Sequence, residues 1–324
     1  MAFRAGARLV NMEFFQVGPA VFNTPLMFII HSHMWRLKPR PTNSLGEEFL
    51  ARYCPPGVDP EEVVALKAMS YPFSVRTAAK YLDIAIFKEI MEGRGTPSGG
   101  VFLDATRSGR EILLERAPIS YKTLKRAGID LSQKPIEVGP VVQNFNGGIL
   151  IDANGFTGIE GLYAAGEVSG GVHGADRPGG NNLIDTQVFG YRSGRAAVDY
   201  ALERGNRSVQ SAPLGDFTCD PLSPEDEALL RKSADLYYAN LTIIRTKVGL
   251  QKVLQFVDDH RWNRNRIVRN RLTLGAILAT AALTREESRG THYREDFPQQ
   301  NPIWNKRIAL STEKSGGLKV DFLP

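Results

Sequence analysis

Cysteine is scarce in this sequence. Cys54 and Cys219 are the only two among 324 residues, and they lie far apart without metal-type spacing. That excludes a disulfide framework and an iron–sulfur cluster held by this chain alone, and it fits a reducing compartment. Long apolar runs are missing as well. The longest candidate, Phe22 to Ile30, carries Asn23, Thr24 and Pro25, and it falls short of the ~18–20 residues needed to span a bilayer. The opening stretch "MAFRAGARLVNMEFFQ" has neither the apolar core nor the cleavage site of a secretory signal. It reads as the middle of a domain, and a soluble cytoplasmic protein with no transmembrane segment is expected. Charge of one sign is also weak. Forty basic residues face 35 acidic ones, a net +5, which gives no footprint for nucleic acid. The densest basic stretch, Arg261 to Arg271, has apolar residues at helical spacing and reads as the solvated face of a helix. His31 and His33 form an H-x-H pair with no acidic or cysteine ligand near them, so no metal site is expected. Trp35, Trp262 and Trp304 read as packing residues.

What is present is globular: 42% hydrophobic and 23% charged residues, enough for two or three packed units. Residues 1–20 read as a short helix and a strand entering a turn at Gly18-Pro19. Prolines break up residues 21–60, and a helical pattern covers Pro60 to Glu92, with a second run from Val75. Residues 101–105 alternate as a strand, and Ile112 to Ala127 read as helix. Short β-rich pieces then appear between glycine turns, "PIEVGPVVQ", "GGILID" and "GLYAAGE". After a polar linker at about 205–223, helices are predicted over 224–240, 242–258 and 264–287, with a closing hairpin.

The chemistry concentrates in residues 147–195, "GGILIDANGFTGIEGLYAAGEVSGGVHGADRPGGNNLIDTQVFGYRSGR". A strand ending at Gly166-Glu167 would present a carboxylate at a sheet edge. Gly170, Gly171, Gly174, Gly179 and Gly180 would let backbone approach a flat ligand closely. A helix starting near Asn181-Asn182 would aim free N–H groups and its dipole at that loop, which suits an anionic or electron-rich ring edge. Spacing alone leaves two readings, a ligand-binding loop or a glycine-rich connector beside a helix.

Four segments together resemble the succinate dehydrogenase and fumarate reductase flavoprotein superfamily, which includes aspartate oxidase. "GLYAAGE", "GVHGADR", "GGNNL" and "VFGYRSG" are similar to the family's "GLYAAGE…GVHGANRLGGNSL…VFGR.AG". "TREESRGTHYREDFPQQNPIW" resembles "RKESRGAHYREDYP…W", "NMEFFQVGPA" resembles "DMEFVQFHPT", and "GEEFLARYCPP" resembles "GERFM.RYAP". The resemblance spans nearly the whole chain in family order. It implies an α/β plus α fold: a partial, glutathione-reductase-like FAD-binding domain, an α+β capping domain and a C-terminal helical domain. The expected segments are 1–22 and 139–204 for the FAD-binding part, 23–138 for the capping part and 205–324 for the helical part. The family's "GxGxxG" strand–turn–helix, which holds the ADP portion of FAD, does not open this chain. A fragment, or a split gene, is therefore expected.

The resemblance also implies roles for residues. Arg177 matches the arginine that clamps a substrate carboxylate, a task for a rigid bidentate guanidinium. Arg76, in "YPFSVRTAAKYLDIA", falls where the family has the proton-relaying arginine of "PRD"; otherwise it is an ordinary exposed helix arginine. Glu167, His173 and Gly174 match positions around the flavin, and Asn181, Asn182 and Leu183 match the helix start facing its pyrimidine edge. Both family histidines are replaced: "HPT" is Gly18-Pro19-Ala20 here, and "H.TMGG" is "QNFNGG", which puts Gln143 at the second histidine. His292 reads as structural. The implied cofactor is FAD, and the implied substrate is a small dicarboxylic or related acid. The implied partner is an iron–sulfur electron-transfer subunit, which would place the protein in the cytoplasm or peripherally on the inner face of the membrane. Two functions are weighed, an FAD-dependent oxidoreductase and a catalytically inactive remnant acting as an interaction module.

Overall fold

Residues 1–21, 28–30, 32–205, 221–313 and 316–324 are described by a computed structural model. His31, Cys219, most of the apolar run from Phe22 and most of the 205–223 linker lie outside them. In chain order come β1 (Leu9–Val10), β2 (Phe15–Val21), β3 (Phe28–Ile29), α1 (Ser32–Trp35), β4 (Arg40–Thr42), α2 (Pro60–Leu66), α3 (Lys80–Met91) and β5 (Val101–Asp104). α4 (Gly109–Arg116), α5 (Pro118–Arg126), β6 (Ile136–Phe145), β7 (Gly148–Leu150), β8 (Ser169–Gly170) and α6 (Asn181–Arg204) follow. The chain closes with α7 (Pro224–Leu241), α8 (Lys247–Asp259), α9 (Arg266–Thr284), β9 (Arg307–Thr312) and β10 (Leu318–Leu323).

Two sheets organise these elements, in the orders β10-β9-β1-β7-β8 and β3-β2-β6-β5-β4. Mixed α/β architecture is thus established. The second sheet is antiparallel throughout its recorded pairings and rests on β2 against β6, paired from Phe15↔Phe145 to Val21↔Val138 with one register shift between Gln16 and Val17. Gly18-Pro19 does not turn the chain, as its composition suggests, but lies inside β2. Pro19 faces Pro140 across the pair, and two residues without N–H can oppose each other where neither is asked to donate. "GLYAAGE" forms no strand either: it makes one isolated bridge, Phe156↔Tyr163, and then a 3-10 turn over Gly166–Val168. Positive φ at Gly161 and Gly166 (76° and 74°) breaks the extension that its β-rich composition suggests.

One core gathers Trp35, Phe49, Leu82, Ile86, Leu103 and Tyr121 beneath the second sheet. The other joins the first sheet to α7, α8 and α9 through Leu9, Ile149, Leu241, Leu250, Ile277 and Leu310. Caps set the helix starts more sharply than periodicity does. Ser223 and Asp226 form a reciprocal capping box on α7, Thr246 accepts from Gly249 N on α8, and Asn265 accepts from Ile267 N on α9. The helical pattern between Pro60 and Glu92 divides into α2 and α3, with Tyr71-Pro72 in the connection. The exception to good burial is α6. Only Asp185 and Ser193 are buried on it, while Leu183, Ile184, Val188, Tyr191, Val198 and Leu202 are exposed. Among the described residues no helix is long and apolar enough to cross a membrane.

A buried polar knot stiffens the second sheet's layer. Glu89, fully buried on α3, accepts from Asn43, Tyr53 and Arg94 at 2.7–2.9 Å. Burial pushes its carboxyl up, but those hydrogen bonds outweigh burial and bring it down to about 2. A depressed carboxyl stabilises the fold above its ordinary 4.5 and loses that contribution as pH falls from 4.5 toward 2. The gap in Tm between wild type and Glu89→Gln should therefore narrow through that window. A gap independent of pH contradicts the assignment.

Candidate acid-binding cleft and glycine loop

The loop after β8 runs back toward the second sheet and forms one wall of a cleft of about 330 Å³. Asp176, Arg177 and Gly179 line this wall, and Tyr71, Ser74 and Arg76 line the other. The walls are bonded to each other: Ser74 Oγ and Arg76 Nη2 both donate to Asp176 Oδ2, at 2.7 and 2.8 Å. They are also held by a common clamp following α9. Val75 N donates to Gly290 O at 2.8 Å, and Thr291 N donates to Ala175 O at 3.0 Å. Gly290 is obligatory there. Its φ is +55°, and a Cβ would meet Ala175 O at 2.2 Å.

Arg177 is half-buried. Its Nη2 donates to Gln16 Oε1 at 2.6 Å, and Gln16 Nε2 donates back to the Arg177 carbonyl at 3.0 Å. Nη1 reaches Asn182 Oδ1 (3.3 Å) and Pro178 O (3.2 Å), while the buried Nε has no partner. Burial lowers its pKa, and Glu167 and Asp176 oppose that shift. Arg76 lies in a turn ahead of α3 rather than on a helix, and its side chain is 66% exposed. The two arginines are thus brought to one cleft, at different depths.

His173 Nε2 lies 3.4 Å from Asp185 Oδ2 on α6. Burial lowers its pKa, Asp185 opposes this and Arg177 adds to it, so the ring is held neutral at pH 7. Glu167 is exposed, and its Oε1 accepts from Phe145 N at 2.9 Å, tying the 3-10 turn to the end of β6. Gly174 (φ +59°) and Gly180 (φ +84°) have open space where a Cβ would point, as does Gly179. Gly180 caps α6, so the first helical residues, Asn181, Asn182 and Leu183, begin beside that open face. Gln143 stands apart: it is the extra residue of a β-bulge opposite Gln16 and Val17 and is not among the cleft's described lining residues. No group of metal-holding side chains occurs among the described residues.

Four contributors escape sequence reading. Gln16 sits in the matched "EFFQVGPA" and Gly290 in "ESRGTHYRED", so both carry a motif signal without a stated job. Asp176 replaces the asparagine of "HGANR". Tyr71 carries no motif signal. His292 is fully buried among Arg245, Arg285 and Arg294, and burial together with Arg245 and Arg285 holds it well below its ordinary pKa. It is a neutral scaffold group, accepting at Nδ1 from Arg245 at 2.5 Å.

An FAD binding domain family matches residues 1–183, and a fumarate reductase flavoprotein C-terminal family matches residues 257–324. A CoM/CoB fumarate reductase polypeptide of Methanothermobacter marburgensis is 33% identical over 96% of this chain and 58% of its own length. L-aspartate oxidase of Rhodospirillum rubrum is 32% identical over 64% of this chain and 75% of its own. Among solved structures, Mycobacterium smegmatis Sdh1 in complex with UQ1 is 29% identical with a TM-score of 0.70, covering 99% of this chain and 56% of that one. The chain thus spans little more than half the length of two of these three proteins. It belongs to the FAD-dependent flavoprotein family of succinate dehydrogenase, fumarate reductase and L-aspartate oxidase.

Proposed function

We propose that this chain forms the acid-binding, flavin-facing part of an oxidoreductase that moves a hydride between a small dicarboxylic or related acid and FAD. The observation that carries this reading is the placement of Arg76 and Arg177 on opposite walls of one cleft beside the open glycine loop. Two guanidinium groups across such a gap suit two carboxylates of one small molecule. Arg177, held by Gln16, would take the inner carboxylate. Arg76 would take the outer one, leaving Asp176, and would relay a proton once bound acid has displaced the water around it.

The residues present fit a flavin. Gly174, Gly179 and Gly180 leave room for a flat ring to approach, and the N-terminus of α6 presents its positive dipole end there. Glu167, His173, Asn181, Asn182 and Leu183 are the further residues proposed to surround it. The buried, unpartnered Nε of Arg177 in the cleft is the kind of donor a bound polar group satisfies. When bound, FAD supplies the hydride acceptor or donor. The neutral His173 would stay uncharged beside it, whereas Gln143, on its bulge outside the cleft lining, has no part in this reading.

The exposed apolar face of α6 suits a nucleotide-binding half of the kind that the longer relatives have length to contain, in the same polypeptide or another. In this reading residues 1–22 and 139–204 contribute to the FAD-binding part, 23–138 to the capping part and 205–324 to the helical part. An iron–sulfur electron-transfer subunit would carry electrons onward, with the protein peripheral to a membrane. The inactive-remnant reading is the weaker one, because a docking module has no need of a cleft with two facing arginines. The natural full-length protein should purify with FAD, and after reduction fumarate or a related unsaturated acid should reoxidise it. Flavin that no small acid oxidises or reduces contradicts the proposal.

A further inference from the structure

The resembled family carries a histidine where this chain has Gly18, and the structure shows why no side chain stands there. A Cβ on Gly18 would lie 2.8 Å from both Cζ and Oη of Tyr71, closer than packed atoms tolerate. Gly18 is not among the positive-φ glycines. Space, not backbone conformation, demands glycine at this position. The phenol of Tyr71 fills the volume that a residue-18 side chain would enter.

Tyr71 also lines the cleft shared by Arg76 and Arg177. Its ring is buttressed by Lys67, whose Nζ lies 5.6 Å from the ring centroid. Lys67 is itself fully buried and paired with Asp83 at 2.5 Å. The Tyr71 hydroxyl makes only a long contact, 3.4 Å to Pro19 O, among the described residues. Most of its hydrogen-bonding capacity is therefore unspent. Burial pushes the phenol's pKa up, with Asp83 adding to the shift, so it remains a donor at neutral pH.

We infer that Tyr71 is a substrate-contacting, specificity-determining residue that stands in for the missing histidine, donating its hydroxyl to a carboxylate held between Arg76 and Arg177. The inference rests on the acid-binding reading above. It predicts a cleft in which a neutral hydroxyl, rather than an imidazole, completes acid recognition, so that discrimination among acids depends on the reach of the phenol.

The test uses the natural full-length protein loaded with FAD, with malonate as the binding probe in calorimetry and fumarate as the kinetic probe. Tyr71→Phe should weaken malonate binding roughly ten- to hundredfold, the range for losing a hydrogen bond to a charged group. KM for fumarate should rise more than kcat falls, with FAD content and Tm unchanged. Tyr71→Ala should bind more weakly still, and adding Gly18→His to Tyr71→Ala should restore binding several-fold, because imidazole then has the vacated space. Wild-type affinity in Tyr71→Phe, or a double variant no better than Tyr71→Ala, overturns the assignment while leaving acid binding intact. Wild-type protein that binds neither probe overturns the acid-binding reading and this assignment with it.

Discussion

Arg285→Leu should destabilise the fold by about 3–5 kcal/mol, the cost of stripping one partner from a buried ion pair. Arg285 is 1% exposed and meets Glu13 at 2.7 Å and Glu287 at 3.1 Å. It also donates to Trp304 O at 3.0 Å and Lys306 O at 2.9 Å. Leucine would strand the buried Glu13 carboxylate and two carbonyls together, while Glu287 keeps Arg289 and the Asn301 N–H. Burial already pushes the Glu13 carboxyl up, against the pull of Arg285. In the variant Glu13 would take up a proton, which limits the loss rather than removing it. Against a typical total of about 5–15 kcal/mol, the fall should appear as a Tm lower by on the order of 10 °C. Arg231→Ala is the control: its pair with Glu227 is exposed (69% and 53%) and should cost under about 1 kcal/mol. Equal Tm values for the two variants would remove the buried cluster from its proposed role as scaffold.

Arg177→Ala should reduce kcat/KM for the acid by about 2–4 kcal/mol, or roughly 30- to 1000-fold, as expected when a partly desolvated charge pair is truncated. The Arg177 guanidinium is already positioned before any acid arrives, through Gln16 and Asn182, so little ordering is needed on binding. Lysine at 177 should recover only part of the loss, because it keeps the charge and loses the fork. Unchanged kinetics in Arg177→Ala would take this residue out of the site.

Local chemistry was the legible part. Glycine spacing anticipated open backbone at Gly174, Gly179 and Gly180 but not at Gly170, which packs on Gly148 of β7; α6 begins at Asn181, where the sequence suggests it should. Ordered motif matches pointed to a family that the comparisons bear out. Long-range geometry was not legible. Arg177 and Gln16 are 161 residues apart, and no periodicity links them. The clamp from Gly290 and Thr291 onto both cleft walls depends on how the segment after α9 folds back. Pro19 opposite Pro140 turned an expected bend into strand, since pairing with β6 overrides local turn preference. The bulge at Gln143 likewise depends on register rather than composition. Exposure of Arg76 and its pairing with Asp176 follow from a tertiary contact between two loops, which the residues around position 76 do not encode.

The most direct measurement is the visible spectrum of the purified natural protein during titration with malonate. The account predicts a yellow protein whose flavin band shifts on saturation, and a shift of the same band that requires far more malonate in Arg177→Ala. A folded, colourless protein, or a flavin spectrum indifferent to malonate in wild type and variant alike, would contradict it.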